Sequence, residues 1–192
     1  MFRLKFIKAI ERFSRNLSMA AIVCSISIVG TINAAKSAEL NVRLGEDFTT
    51  LDPAFWQSGA DYTMINVLFP KLIEFKSGSD WEYELQAAES IKQVDELTIK
   101  FKLKPGLMWT GNYGEVTTED VKYSYERYID PELNSPIIGD WLALKEVEIV
   151  DKYSGIIHLK EPFAPIWWST LPYTSGAIVS KKATEEAGGK FT

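Results

Sequence analysis

Few groups in this chain could do covalent or metal chemistry. His158, the only histidine, sits in the apolar run Ile156-Ile157-His158-Leu159. There alternate side chains face opposite sides of a strand, so it reads as a surface residue rather than a ligand. Cys24 is the only cysteine and lies in an apolar N-terminal stretch, which leaves the rest of the chain without disulfide or thiolate metal chemistry. No Ser/His/Asp set, metal-ligand spacing or phosphate-cradling glycine motif is present. Catalysis has no candidate centre here. What remains is recognition chemistry, above all six Trp, whose large faces build either a core or the wall of a ligand pocket. Trp109, just after a strand-ending turn, reads as core. Trp167 and Trp168 are adjacent and would point about 100° apart on a helix, so at most one faces inward.

The first residues explain where such a protein would work. Arg3, Lys5, Lys8, Arg12 and Arg15 precede an uncharged apolar stretch, Leu17 to Ile32, which ends in the small residues Ala34, Ala35, Ser37 and Ala38. A basic region, an apolar region and a small-residue exit make a secretory signal peptide. Residues 1–38 are therefore expected to be removed near positions 37–38, leaving 39–192 as the working part. The competing reading is an uncleaved anchor, since the apolar run approaches the ~18–20 residues of a spanning helix. Lipidation at Cys24 is discounted, because Val23 stands where a small residue is needed. The leader holds six of the 21 basic residues and one of the 26 acids, which leaves 15 against 25. A net charge of about −10 excludes a polyanion such as nucleic acid as partner.

Elements must then position the aromatic groups. Leu40, Val42 and Leu44 alternate as in a half-buried strand, which Asp52-Pro53 would follow with a turn. Tyr62 to Leu68 fits a short helix with Tyr62, Ile65 and Phe69 on one stripe, and Leu72 to Phe75 a short strand. A hairpin is expected over Ser90–Val94 and Leu97–Leu103, and another over Val147–Val150 and Ile156–Leu159. Thr117 as N-cap with Asp120 three residues on starts a helix to Ile129, its apolar face formed by Val121, Tyr125, Tyr128 and Ile129. Pro162 to Thr170 reads as a short helix, and Ser180 opens another that Gly188-Gly189 ends. Strands and helices without a βαβ rhythm argue α+β with a mixed sheet.

Taken in order, the segments form a pattern. They are Thr50-Leu51-Asp52-Pro53; Leu85-x-Ala87-Ala88-Glu89-Ser90-Ile91; Thr98-x-x-Phe101-x-Leu103-x-x-Gly106-x-x-Trp109; Thr118-x-Asp120-Val121-x-x-Ser124; Val150-Asp151; Glu161-Pro162-Phe163; and Ile178-Val179-Ser180-Lys181-Lys182. This pattern resembles extracellular solute-binding protein family 5, the peptide-, opine- and nickel-type receptors of ABC importers, over about residues 40–191. Ile91 stands where Trp is usual, Lys104 where Arg is common and Thr118 where Ala is common. The resemblance implies one lobe of a two-lobed periplasmic-binding-protein-like fold of the class II, or cluster C, type. Family members continue beyond Phe191 with a Gly-Thr-Gly-Pro-Tyr segment and a second lobe, so residues 39–192 are expected to be an incomplete lobe I.

The same resemblance implies the site. Asp47, Phe48, Thr49 and Thr50 match the segment that edges the cleft, where Asp47 would meet a ligand cation and the threonines would donate hydroxyl hydrogen bonds. Trp56 and Asp61 follow in the same loop as an aromatic wall and an acid. Trp141 would face the cleft, with core as the equal alternative. The implied function is capture of a peptide or similar small polar solute outside the cytoplasmic membrane, as a monomer, for delivery to an ABC permease, without cofactor or catalysis. Two other classes stay open: a secreted hydrolase with its active site further along the gene, and a membrane-tethered sensor retaining residues 17–35.

Overall fold

The structure, a computed structural model, describes residues 41–79 and 81–191. The signal segment and Leu40 lie outside these residues. From Leu44 onward the chain forms one unit, with elements in the order α1 (Gly59–Leu68), β1 (Ile73–Phe75), β2 (Tyr83–Leu85), β3 (Ala88–Asp95), β4 (Thr98–Leu103), α2 (Thr118–Glu126), β5 (Leu144–Ile149), β6 (Ser154–Leu159) and α3 (Lys181–Glu186). Among the described residues no helix is long and apolar enough to cross a membrane.

The two hairpins join into one four-stranded sheet ordered β3-β4-β6-β5, while β1 and β2 pair separately. The period-2 pattern decides which face is buried. Ile99, Phe101 and Leu103 on β4, Ile157 and Leu159 on β6, and Leu144 and Val147 on β5 all turn inward. Helix α2 covers this face with Val121 and Tyr125, and Tyr128 follows in the single 3₁₀ turn (Arg127–Ile129) that continues it. Gly155 sits opposite Phe101 in the β4–β6 register. A Cβ at Gly155 would lie 2.5 Å from Phe101 Cζ, so only glycine lets that ring lie across β6.

The α2 N-terminus is tied to the C-terminal segment by Asp120. Its Oδ2 accepts from the Thr117 amide at 2.9 Å, completing the capping box, and from Trp109 Nε1 at 3.3 Å. Its Oδ1 accepts from the Lys181 amide at 2.9 Å, at the start of α3. One turn on, Ser124 Oγ donates to the Asp120 carbonyl and accepts from the Val179 amide. Asp120→Ala should therefore lower stability by about 1–3 kcal/mol, through the lost cap and the buried amides left unpaired. Thermal melting measures it, and an unchanged midpoint would mean that water replaces the carboxylate without loss.

Three expectations change. Residues 41–50 form no strand, and Val42 is 68% exposed. With no ladder partner among the described residues, the Thr49 and Thr50 amides turn to a side chain instead. Residues 162–170 form only a 3₁₀ turn, Ala164–Trp167. Pro172 biases Leu171 away from helical dihedrals, and the Leu171 amide reaches back to the Ile166 carbonyl. The α+β lobe is present, but its described strand pairs are antiparallel throughout rather than mixed.

Candidate functional site

The loop leading into α1 is organised around one carboxylate. Asp61, the third residue of the helix, is fully buried and forms a capping box with Ser58. It accepts from the amides of Thr49 (2.6 Å), Thr50 (3.3 Å), Gln57 (3.1 Å) and Ser58 (3.2 Å), and from Thr49 Oγ1. Burial pushes its carboxyl up, but the hydrogen bonds from Thr49, Gln57 and Thr50 outweigh it and bring the pKa to about 2. A carboxyl depressed on folding stabilises the fold above its unfolded value, and that contribution is lost as pH falls through the folded value. Asp61→Asn should thus flatten the part of the acid-unfolding curve between about pH 4 and pH 2, followed by circular dichroism. Identical acid limbs in both proteins would remove Asp61 from this role.

A second anchor holds the same loop from below. Asp52 and Arg127 form a buried bidentate pair at 2.9 and 2.8 Å. Asp52 also accepts from the Ala54 and Phe191 amides, and Arg127 Nη2 donates to the Gly189 carbonyl at 2.7 Å. Thr50 Oγ1 donates to the Phe191 carbonyl and accepts from the Asp52 amide. The Asp-Pro turn is thereby fastened to α2 and to the C-terminal segment.

On this frame three aromatic rings converge. Trp56 and Tyr62 meet edge to face with centroids 6.3 Å apart, Trp56 and Tyr173 lie 6.3 Å apart, and Tyr62 and Tyr173 5.0 Å apart. Burial raises the Tyr62 phenol, and the neighbouring Tyr173 raises it further. One helical turn on, Asn66 Nδ2 donates to the Tyr62 carbonyl and to Thr174 Oγ1, while its Oδ1 accepts from Lys71 Nζ at 2.6 Å. Lys71 is buried, which lowers its pKa, against a raising effect from Glu74. Trp56, Tyr62 and Tyr173 are half-buried, so their open faces can stack a flat or aliphatic body.

Of the residues expected at the site, Asp47 and Phe48 are exposed on the loop, and Trp56 joins the aromatic cluster. Thr49 and Thr50 make the internal contacts above. Asp61 organises the loop from within rather than presenting an acid to a ligand. Trp141 is set apart from them: it is 1% exposed, stacks on Tyr125 and donates Nε1 to the Ser175 carbonyl at 2.9 Å. His158 lies at the sheet surface beside Glu148, 2.8 Å away. Trp168 is exposed, while Trp167 packs against the core with its indole N–H on Gln93. A groove of about 630 Å³ lies between β3 and the 162–168 segment, lined by Tyr83, Gln93, Phe163, Trp167 and Trp168. None of the expected site residues lines it. Tyr62, Asn66, Lys71, Tyr173 and Thr174 escaped the reading from sequence. The one local signal was Lys71, a charge interrupting the apolar run Val67-Leu68-Phe69-Pro70-Lys71-Leu72-Ile73.

Fold and site together define one lobe of a periplasmic binding protein. The chain belongs to the bacterial extracellular solute-binding proteins, family 5, whose middle-region description matches residues 82–192. It is similar to MoaA of A. tumefaciens R10, solved with mannopinic acid, at 35% identity and TM-score 0.68, over 74% of this chain and 29% of that one. It is also similar to DppA of Helicobacter pylori, solved with the peptide STSA, at 26% identity and TM-score 0.64, over 76% and 32% of the two chains. The oligopeptide-binding protein AppA of Bacillus subtilis, solved with a nonapeptide, shares the fold at 24% identity and TM-score 0.64, over 71% and 26%. The matches thus span about a third or less of the solved relatives. No curated protein matches the chain by sequence.

Proposed function

We propose that this protein is the receptor of an ABC importer, which captures a peptide, an opine or a similar small polar solute and passes it to a membrane permease. The observation that carries the reading is family membership, together with an aromatic cluster held at the end of the Asp47–Thr50 loop. Residues 1–38 act as a cleaved signal peptide, so the protein works in the periplasm or outside the cell, as a monomer. It performs no chemistry. Its output is a loaded shape, in which a second lobe closes over the solute and replaces its water with fixed partners. The Asp47–Thr50 segment edges the cleft, and Trp56 with Tyr62 and Tyr173 supplies its aromatic wall.

The test is a thermal-shift screen of the exported full-length protein against peptides, opines and amino acids. A ligand at a hundredfold excess over its Kd adds about 2.7 kcal/mol to a native state that alone binds it. For the longer two-lobed protein, whose larger unfolding entropy gives roughly 1–2 °C per kcal/mol, that is a rise of about 3–5 °C. Trp56→Ala should weaken the best ligand by about 1–3 kcal/mol with little change in melting. No shift with any class of small solute would overturn the receptor reading.

A further inference from the structure

The outer face of the four-stranded sheet, turned away from α2, carries its charges unevenly. With Ile99, Phe101 and Leu103 of β4 buried, alternation turns Lys100 and Lys102 outward. The register sets Lys92 of β3 directly opposite Lys100, and Lys102 between Ser90 of β3 and Ser154 of β6. Side chains opposed in this way have Cβ atoms about 5 Å apart, where like charges are destabilising. Lys102 lies about 7 Å from Lys100 along the same strand. Glu89 pairs with Lys102 at 2.8 Å, but neither Lys92 nor Lys100 enters an ion pair among the described residues. The acids of this face stand on β5. Ile156 of β6 separates Lys100 from Glu148, which is held by His158 at 2.8 Å. A depression of about 520 Å³ lies over the lysine half, lined by Ser90, Lys92, Lys100, Lys102, Ser154 and Ile156, with Glu148 on its β5 side. In a chain with 26 acidic residues against 21 basic ones, two opposed lysines are thus left without a counter-charge beside an open, solvent-facing cavity.

We infer that this depression is a binding site for a phosphate ester, received by Lys92, Lys100 and Lys102, with the Ser90 and Ser154 hydroxyls as further donors. A phosphate group carries close to two charges at neutral pH and three strong acceptor oxygens. It can therefore neutralise the opposed pair and reach the third ammonium at once. A carboxylate, with one charge and two oxygens, leaves one ammonium of the pair unmatched. The phosphate sits over β3 and β4, since Glu148 repels it from the β5 side. The depression shares no residue with the aromatic cluster, so it is separate from the proposed solute cleft and does not rest on the receptor reading. A soluble ester and a phospholipid headgroup present the same chemistry to it.

The experiment titrates the exported full-length protein with inorganic phosphate and with glycerol phosphate, by calorimetry, at an ionic strength held constant with sodium chloride so that general screening does not change. Both should saturate one site. Lys92→Gln and Lys100→Gln should each weaken phosphate about three- to fivefold, the scale of one exposed charge contact. Lys145→Gln, an exposed β5 lysine paired with Glu146 and outside the depression, should change nothing. Without phosphate, Lys92→Gln should melt no lower than the unsubstituted protein, because it relieves the opposed pair. Co-sedimentation with phosphatidylglycerol vesicles then identifies the source. Vesicle binding lost in Lys100→Gln assigns the site to a lipid headgroup, and phosphate binding without vesicle binding assigns it to a soluble ester. A titration that does not saturate, or one indifferent to Lys92→Gln and Lys100→Gln, would overturn the inference. So would equal weakening by Lys145→Gln, or a clear fall in melting for Lys92→Gln, which would make the lysines part of the fold's own packing.

Discussion

Trp141→Ala is expected to lower stability by about 3–5 kcal/mol, the range for removing a large aromatic side chain from a packed interior. The indole is 1% exposed and stacks on Tyr125, with ring centroids 4.2 Å apart, and more loosely on Tyr128 at 6.2 Å. Tyr125 lies on the apolar face of α2 and Tyr128 in the 3₁₀ turn that continues it, so the indole is what joins them to the 3₁₀ turn at Ile138–Trp141. Its N–H donates to the Ser175 carbonyl, whose own hydroxyl bonds Asp140. Truncation would leave a void against the Tyr125 and Tyr128 rings and an unpaired buried carbonyl. Trp141→Phe keeps most of the stacking and loses the N–H, so a smaller loss of about 1–3 kcal/mol is expected. Chemical denaturation at constant slope measures both. Affinity of the molecules that remain folded should be unchanged. An affinity loss from Trp141→Ala with an unshifted melting curve would return Trp141 to the cleft.

Trp141 also shows why the site was harder to read than the fold. Alternation in Leu97–Leu103 and Ile156–Leu159, and the Thr117/Asp120 start of α2, are local signals, and each found its element within a few residues. The Gly188-Gly189 stop holds too, with both glycines at positive φ. An aromatic residue carries no such local mark of which way it faces. Trp141 and Trp56 look alike in sequence, yet one is sealed by Tyr125 and Tyr128 and the other meets Tyr173, 117 positions away by number. Asp61 was legible as an acid near the loop, but its meaning reversed once the amides of Thr49, Thr50, Gln57 and Ser58 were seen to converge on it. Lys71 was visible only as an interruption, because burial with a single partner is a property of the assembled fold. The expected first strand failed for a related reason: alternation names a face, while a strand also needs a neighbour to accept its ladder.

The Asp52–Arg127 pair should be the most sensitive point in the frame beneath the site. Arg127→Met leaves a fully buried carboxylate without its counter-charge, and losing one partner of a buried pair costs about 3–5 kcal/mol. For a domain of this size that is a fall of roughly 6–20 °C in melting midpoint. The loss should reach further than stability. Arg127 also holds the Gly189 carbonyl, and Asp52 holds the Ala54 and Phe191 amides, so the turn before Trp56 and the C-terminal segment loosen together. Amide exchange at Ala54 and Phe191 should therefore accelerate more than exchange in β4. The double variant Asp52→Asn with Arg127→Met removes both charges and leaves an amide whose oxygen can still accept. It should melt above Arg127→Met alone, because the unmatched carboxylate, not the missing attraction, is the larger penalty. Strictly additive losses, or a drop under about 1 kcal/mol for Arg127→Met, would show that water reaches this pair and that the frame depends on other contacts.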